Sequence, residues 1–208
     1  MIIECIPNNI VQSNVYIAAQ NGEGVVIDCG CTVERLMRVV EKHALEIKYI
    51  ILTHGHFDHI YYMDPVREKT GAKVCIHELE ADYLTDPKLN GVALFPVKGA
   101  TSFKPADILL KDGDTLECGG LSYKIIHTPG HTKGGICIQL ENNLFTGDTL
   151  FKGTIGRTDF PGGSVRDIKK SITEKLYNLP DDTTVYPGHG DATTIGYEKR
   201  HNPYFRIR

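Results

Sequence analysis

The sequence predicts a protein of the α/β (α+β) class, with two sheets packed together and helices on their outer faces. Three observations carry this expectation. Short apolar, strand-like runs recur through both halves of the 208-residue chain. Each half also holds an amphipathic helical pattern able to cover a sheet. And "EIKYIILTH" (46–54) is almost continuously apolar, as a strand buried on both faces must be.

The chain opens with strand patterns over 2–6, 14–19 and 24–30, and Asn21-Gly22 is a hairpin signal between the last two. "TVERLMRVVEKHA" (32–44) places Val33, Leu36, Met37, Val40 and Ala44 on one helical face, with Thr32 in the N-cap position. After the strand over 46–54 a helix is expected, bent at Pro65, then a strand over 72–77. The stretch 86–106 carries Pro87, Gly91, Pro96, Gly99 and Pro105, and its length suggests a lid or substrate-side segment. Strands follow over 107–110, 115–119, 121–128, 135–140 and 143–148. "SVRDIKKSITEKLYNL" (164–179) reads as a helix capped by Ser164, with Asp167 completing a capping box. Its buried stripe is Val165, Ile168, Ile172, Leu176 and Leu179. A last strand ends in "YPGHG". No linker or repeat interrupts the chain, so residues 1–208 are expected to form a single domain.

Composition narrows the function. The 41% hydrophobic and 24% charged residues are ordinary for a globular protein. A net charge of -3 offers no broad basic field for nucleic acid or anionic lipid. No apolar run reaches the ~18 residues of a membrane span. Glu4, Pro7 and Asn8 interrupt an N-terminus that lacks a basic leader, so it does not read as a signal peptide. A cytoplasmic protein with neither nucleic-acid nor membrane partners is expected. The six cysteines form no C-x-x-C pair and read as reduced core residues.

The chemistry is concentrated in "THGHFDH" (53–59), where a buried strand stops and a helix begins. His54 and His56 are two apart and share a side on extended backbone. Asp58 and His59 lie where the chain turns, so they can address a second point nearby. Other strand-end turns offer His131 in "HTPGHTKGG", Asp148 in "LFTGDTL" and His189 in "YPGHGD". Glycines beside these residues let backbone approach a pocket closely. Five imidazoles and two carboxylates exceed one tetrahedral site and suit two divalent cations. Zinc is expected first, with iron or manganese as alternatives. His43, His77, His127 and His201 read as structural or surface residues.

In their order and spacing, "THGHFDH", "HTPGHT", "TGD" and "PGHG" resemble the metallo-β-lactamase superfamily. That resemblance spans most of the chain. It implies a four-layer αβ/βα sandwich of two mixed β-sheets flanked by helices. It also implies His54, His56 and His131 as ligands of one metal, Asp58, His59 and His189 as ligands of a second, and Asp148 as the bridge. Zinc β-lactamases usually carry a cysteine near position 148, lack the second histidine of D-H and bear an export signal. These departures argue against antibiotic hydrolysis. The superfamily's tRNA-processing members are longer and carry an RNA-binding arm that has no counterpart here.

"GDTLFKGTIGRTDFPGGS" and "PGHGDATTIGYEKRHNP" are most similar to a short branch of glyoxalase II-like thioesterases. That branch lacks the C-terminal helical domain that supplies much of the glutathione-binding surface. "GRTDF" also resembles persulfide dioxygenases, which use one iron. The leading expectation is a metallo-hydrolase cleaving S-2-hydroxyacylglutathione or a related small-molecule thioester. Asp58 would act catalytically by ligating and orienting the nucleophile, and no G-x-S-x-G elbow supplies a serine instead. Arg157 and Lys152 are the expected anchors of a substrate carboxylate, with Tyr197 and Lys199 as weaker candidates. The alternative is a mononuclear iron dioxygenase acting on a persulfide. A metal-stabilised module without activity fits poorly, since structural sites are closed and hold few ligands.

Overall fold

Neighbouring residues of the central strands enter different cores, which explains why those strands carry no alternating polar face. Val25, Ile27 and Ile51 pack into one apolar cluster, while Val26, Ile50 and Leu52 pack into another. A computed structural model of the chain describes residues 1–7, 11–94 and 102–206.

Among these residues the first sheet takes six strands from the N-terminal half in sequential order: β1 (Ile2–Pro7), β2 (Asn14–Gln20), β3 (Glu23–Ile27), β4 (Glu46–Ile51), β5 (Lys73–His77) and β6 (Ile108–Leu110). β1 to β3 pair antiparallel, and β3 to β6 pair parallel. The second sheet is built from β7 (Thr115–Cys118), β8 (Leu121–His127), β9 (Ile136–Leu140), β10 (Asn143–Gly147), β13 (Thr184–Pro187) and β14 (Thr193–Thr194), in the order β14-β13-β10-β9-β8-β7. Its β10–β13 pair is parallel. The short ribbon β11 (Leu150–Phe151) and β12 (Thr154–Ile155) stands beside the second sheet.

The inter-sheet core holds Tyr16, Ile27, Ile51, Tyr123, Ile125, Ile138 and Phe145. Helices α1 (Val33–Lys42) and α3 (Met63–Thr70) cover the outer face of the first sheet through Leu36, Val40, Met63 and Val66. The helix α4 (Val165–Lys170), its continuation and α5 (Ile195–His201) cover the second through Ile168, Ile172, Leu176 and Ile195. The expected four-layer αβ/βα sandwich of two mixed sheets is therefore the observed one.

Several local expectations are met with a physical cause. Asn21 and Gly22 have φ of 53° and 80°, the left-handed pair that a tight hairpin turn between twisted strands requires. Ser164 Oγ accepts from the Asp167 amide at 3.2 Å and caps α4.

Others are corrected. The Ser164 amide donates to the Gly130 carbonyl at 2.8 Å, so Asp167 does not close the capping box. Val165 is 64% exposed at the start of α4 and does not belong to the buried stripe. From Ser171 to Lys175 the helix widens into a π turn, then tightens into a 3-10 turn over Leu176–Asn178. Thr32 holds the N-cap position of α1 without a capping side-chain bond. Ala44 lies beyond the helix end, at φ 49°. The expected bend at Pro65 is instead a break between the four-residue α2 (Phe57–Ile60) and α3. Pro65 sits in the first turn of α3, where a missing amide hydrogen costs nothing. Cys5 is exposed, while the other five cysteines are buried. The short β11, β12, β14 and α5 were not expected. Within the stretch 86–106 expected as a lid, a 3-10 turn covers Val92–Leu94, and 95–101 lie outside the described residues. Among the described residues no helix is long and apolar enough to cross a membrane.

Candidate metal centre

The site is assembled at strand ends. β4 gives way after Ile51 to the loop carrying His54 and His56, and α2 begins at Phe57. The loop after β8 supplies His131, the one after β10 supplies Asp148, and the one after β13 supplies His189. All seven expected ligands converge there.

They fall into adjoining groups. The rings of His54, His56 and His131 stand nearly perpendicular to one another, with centroids 4.7–4.8 Å apart. His56 Nδ1 lies 2.9 Å from His131 Nε2. In the second group, His59 Nε2 and His189 Nε2 are 3.4 and 3.3 Å from Asp58 Oδ2. Asp148 reaches both: its oxygens lie 3.3 Å from His59 Nε2 and 3.5 Å from each of His131 Nε2 and His189 Nε2. The backbone is shaped to permit this. A Cβ on Gly188 would lie 2.3 Å from Asp148 Oδ1 and 2.9 Å from His59 Cε1.

Electrostatics separates the two groups. Burial, then the neighbouring His59 and His56, holds the His54 imidazole well below its ordinary pKa. Burial and His131 bring His56 down to about 3. Both therefore present neutral rings with a lone pair to donate. Burial would also lower His59 and His189, but carboxylates outweigh it. Asp58, Asp28 and Asp148 raise His59 well above the ordinary value, and Asp148 and Asp58 raise His189 to about 9. Burial would raise Asp58 and Asp148, yet the facing histidines lower both.

The residues fit divalent cations on chemical grounds. The buried His54 Nε2 has no hydrogen-bonding partner among the described residues, and Asp148 Oδ1 has only its 3.3 Å contact with His59 Nε2. Buried polar atoms of this kind demand a partner, and both are aimed into clusters whose ligand atoms lie within 4.8 Å of one another. Outer partners also fix the rings as metal sites require. His131 Nδ1 lies 2.7 Å from the Arg157 carbonyl, and His59 Nδ1 lies 2.8 Å from Asp28 Oδ2, which turns each Nε2 inward.

Asp28 escaped the sequence reading. It sits at φ 61° directly after β3, and its other oxygen accepts the Thr53 amide at 2.7 Å. Its one sequence signal is a carboxylate ending an apolar strand, "VVIDCG". Glu80 was missed too. It is fully buried, and burial raises its carboxyl to about 7 against the pull of neighbouring donors. Within "HELEADYL" it looks like one more solvated charge.

A cavity of about 350 Å³ opens over the cluster, walled by Phe57, Phe151, Ile155 and Phe160. Arg157 lines it, bound through Nε and an Nη to the Asp159 carboxylate at 2.7 Å each and stacked 3.9 Å over the Phe160 ring. Lys152 does not line it; its Nζ lies 3.1 Å from Asp191. Tyr197 stacks on His201, and Lys199 pairs with Asp181, so neither of these weaker candidates reaches the cavity.

Fold and site together define a metallo-hydrolase scaffold. Residues 8–189 match the metallo-beta-lactamase superfamily, and the chain belongs to that family. Hydroxyacylglutathione hydrolase GloC of Haemophilus influenzae is 36% identical over the full length of both chains. Among solved structures, BLEG-1 B3 metallo-beta-lactamase is 39% identical with a TM-score of 0.92, covering 98% of this chain and 99% of its own. ETHE1 from Myxococcus xanthus is 32% identical, with a TM-score of 0.78 and coverage of 98% and 84%. TTHA1623 in a di-iron-bound form is 30% identical, with a TM-score of 0.86 and coverage of 97% and 100%.

Proposed function

We propose that the chain hydrolyses a small-molecule thioester, S-2-hydroxyacylglutathione or a close analogue, using two divalent cations. The carrying observation is that the seven donors form two adjoining clusters with Asp148 facing both. The full-length similarity to a hydroxyacylglutathione hydrolase supports the substrate class.

His54, His56 and His131 would hold one cation, Asp58, His59 and His189 the other, and Asp148 would bridge. Cations bound there would lower the pKa of water toward neutrality and polarise an acyl carbonyl. Asp58 borders the cavity and would orient the attacking water toward the substrate carbonyl. The four apolar walls exclude bulk water from the acyl group. Arg157 would exchange Asp159 for a substrate carboxylate. The Arg157–Asp159 pair is exposed and screened by solvent, so its exchange is readily made.

Zinc is the first choice for the imidazole and carboxylate set, but donors of this kind also accept iron or manganese. Six free thiols are compatible with a reducing, cytoplasmic location. A second reading, a mononuclear iron persulfide dioxygenase, is left open by the similarity to ETHE1. The test is a panel of glutathione thioesters, a persulfide and a β-lactam, offered to metal-loaded protein with oxygen uptake recorded. Thioester cleavage without oxygen consumption supports the first reading. Oxygen uptake on persulfide with one iron per chain replaces it with the second, and cleavage of the β-lactam alone contradicts both.

A further inference from the structure

The 3-10 turn Glu78–Leu84 carries none of the seven ligands, yet it touches both loops that hold the three-histidine group. Glu80 is fully buried. Its Oε2 accepts the Gly55 amide at 3.0 Å, and its Oε1 accepts the Gly134 amide at 2.8 Å. Gly55 stands between His54 and His56, and Gly134 lies in the loop that carries His131. The packing around these bonds leaves little slack. A Cβ on Gly55 would lie 2.3 Å from Tyr83 Cβ, and one on Gly134 would lie 2.8 Å from Glu80 Cγ. Tyr83 also donates from its hydroxyl to the Pro161 carbonyl at 3.1 Å, next to Phe160, whose ring meets His56 edge-on.

We propose that Glu80 is a positioning residue: by accepting one amide from each loop, its carboxylate fixes His54 and His56 relative to His131 and so sets how tightly the three-histidine group holds a cation. The effect falls chiefly on that group. The Asp58, His59 and His189 group has a brace of its own in Asp28 on His59, which it shares with Thr53 beside His54. The inference rests on reading the three histidines as one ligand set, and not on the thioester substrate.

Glutamine at position 80 keeps the shape but offers one acceptor oxygen and one donor nitrogen, so one of the two amides must face a donor. A residue that merely fills space would tolerate the exchange. The experiment compares wild type, Glu80→Gln and a surface control, Glu68→Gln, which alters only an exposed pair with Lys104. Each is stripped of metal and reloaded with Co(II) at pH 8, above the titration of the Glu80 carboxyl. The readouts are the visible Co(II) spectrum, the rate at which a chelator removes each equivalent, and hydrogen exchange at the Gly55 and Gly134 amides.

Loss of an outer partner typically weakens metal binding ~10–100-fold. One Co(II) equivalent should therefore leave Glu80→Gln about tenfold faster or more, with an altered spectrum, while the other leaves at the wild-type rate. One or both loop amides should lose protection, and the control should match wild type. Unchanged release of both equivalents overturns the proposal. Equal acceleration of both, with exchange raised throughout the molecule, also overturns it, because that is a general packing defect. Should Glu80→Gln not fold, the wild-type amides decide: protection of Gly55 and Gly134 comparable to the sheets supports the clamp, and exchange at open-loop rates contradicts it. A wild-type chain that takes up no Co(II) contradicts the ligand reading itself, a result distinct from failure of the clamp alone.

Discussion

His59 and His189 face three carboxylates between them, and this has a consequence for cation binding. With pKa values raised above the ordinary imidazole range, both rings carry protons in the metal-free chain at pH 7. A cation binds only the deprotonated ring. Loading at pH 7 should therefore release protons, and affinity should rise with pH until His189 is deprotonated, at about 9. Calorimetry in two buffers of different ionisation enthalpy measures the release; a value of zero contradicts the arrangement. Gly188 gives a steric test at the same scale. The added methyl of Gly188→Ala meets the Asp148 carboxylate, so the variant should lose at least one metal equivalent and most activity, as metal analysis and a rate assay would show. The clustering of the seven candidate ligands was legible because histidine and aspartate occur rarely at such spacing. Asp28 and Glu80 were not, because a lone carboxylate carries no mark of the fold that buries it.

At the level of elements, the structure separates caps from faces. Ser164→Ala should cost about 1 kcal/mol of stability through loss of the cap on α4 and leave metal content unchanged. Val165→Lys should change stability by less than ~0.5 kcal/mol, because the side chain is exposed. Thermal or denaturant unfolding checks both, and a large loss for the second would restore Val165 to the buried stripe. Sequence periodicity placed α1 and α4 and nearly every strand, since each must bury an apolar face. It gave no warning of the π turn at Ser171–Lys175, where the register of that face shifts within one helical run. The break before α3 was also misplaced: Pro65 was read as interrupting a helix, although proline is equally suited to starting one.

At the scale of the molecule, the two sheets are locked by aromatic packing between them. Phe145 lies 5.3 Å from the Tyr16 ring and 5.2 Å from the Tyr186 ring. Phe145→Ala should cost ~3–5 kcal/mol, measured by denaturant unfolding. Because β10 also leads to Asp148, metal retention should fall with it. The layered architecture was legible because each half of the chain supplies strands and covering helices. What joins the halves was legible only in part, since the ligands come from four separate loops and their convergence depends on the tertiary fold. That convergence is the claim on which the proposed chemistry stands. Its most direct measurement is the initial rate of S-2-hydroxyacylglutathione hydrolysis by the purified chain before chelation, after exhaustive chelation, and after metal is returned. The rate should vanish on chelation and recover with the divalent cation, without oxygen consumption. Undiminished hydrolysis by the metal-free protein would contradict it.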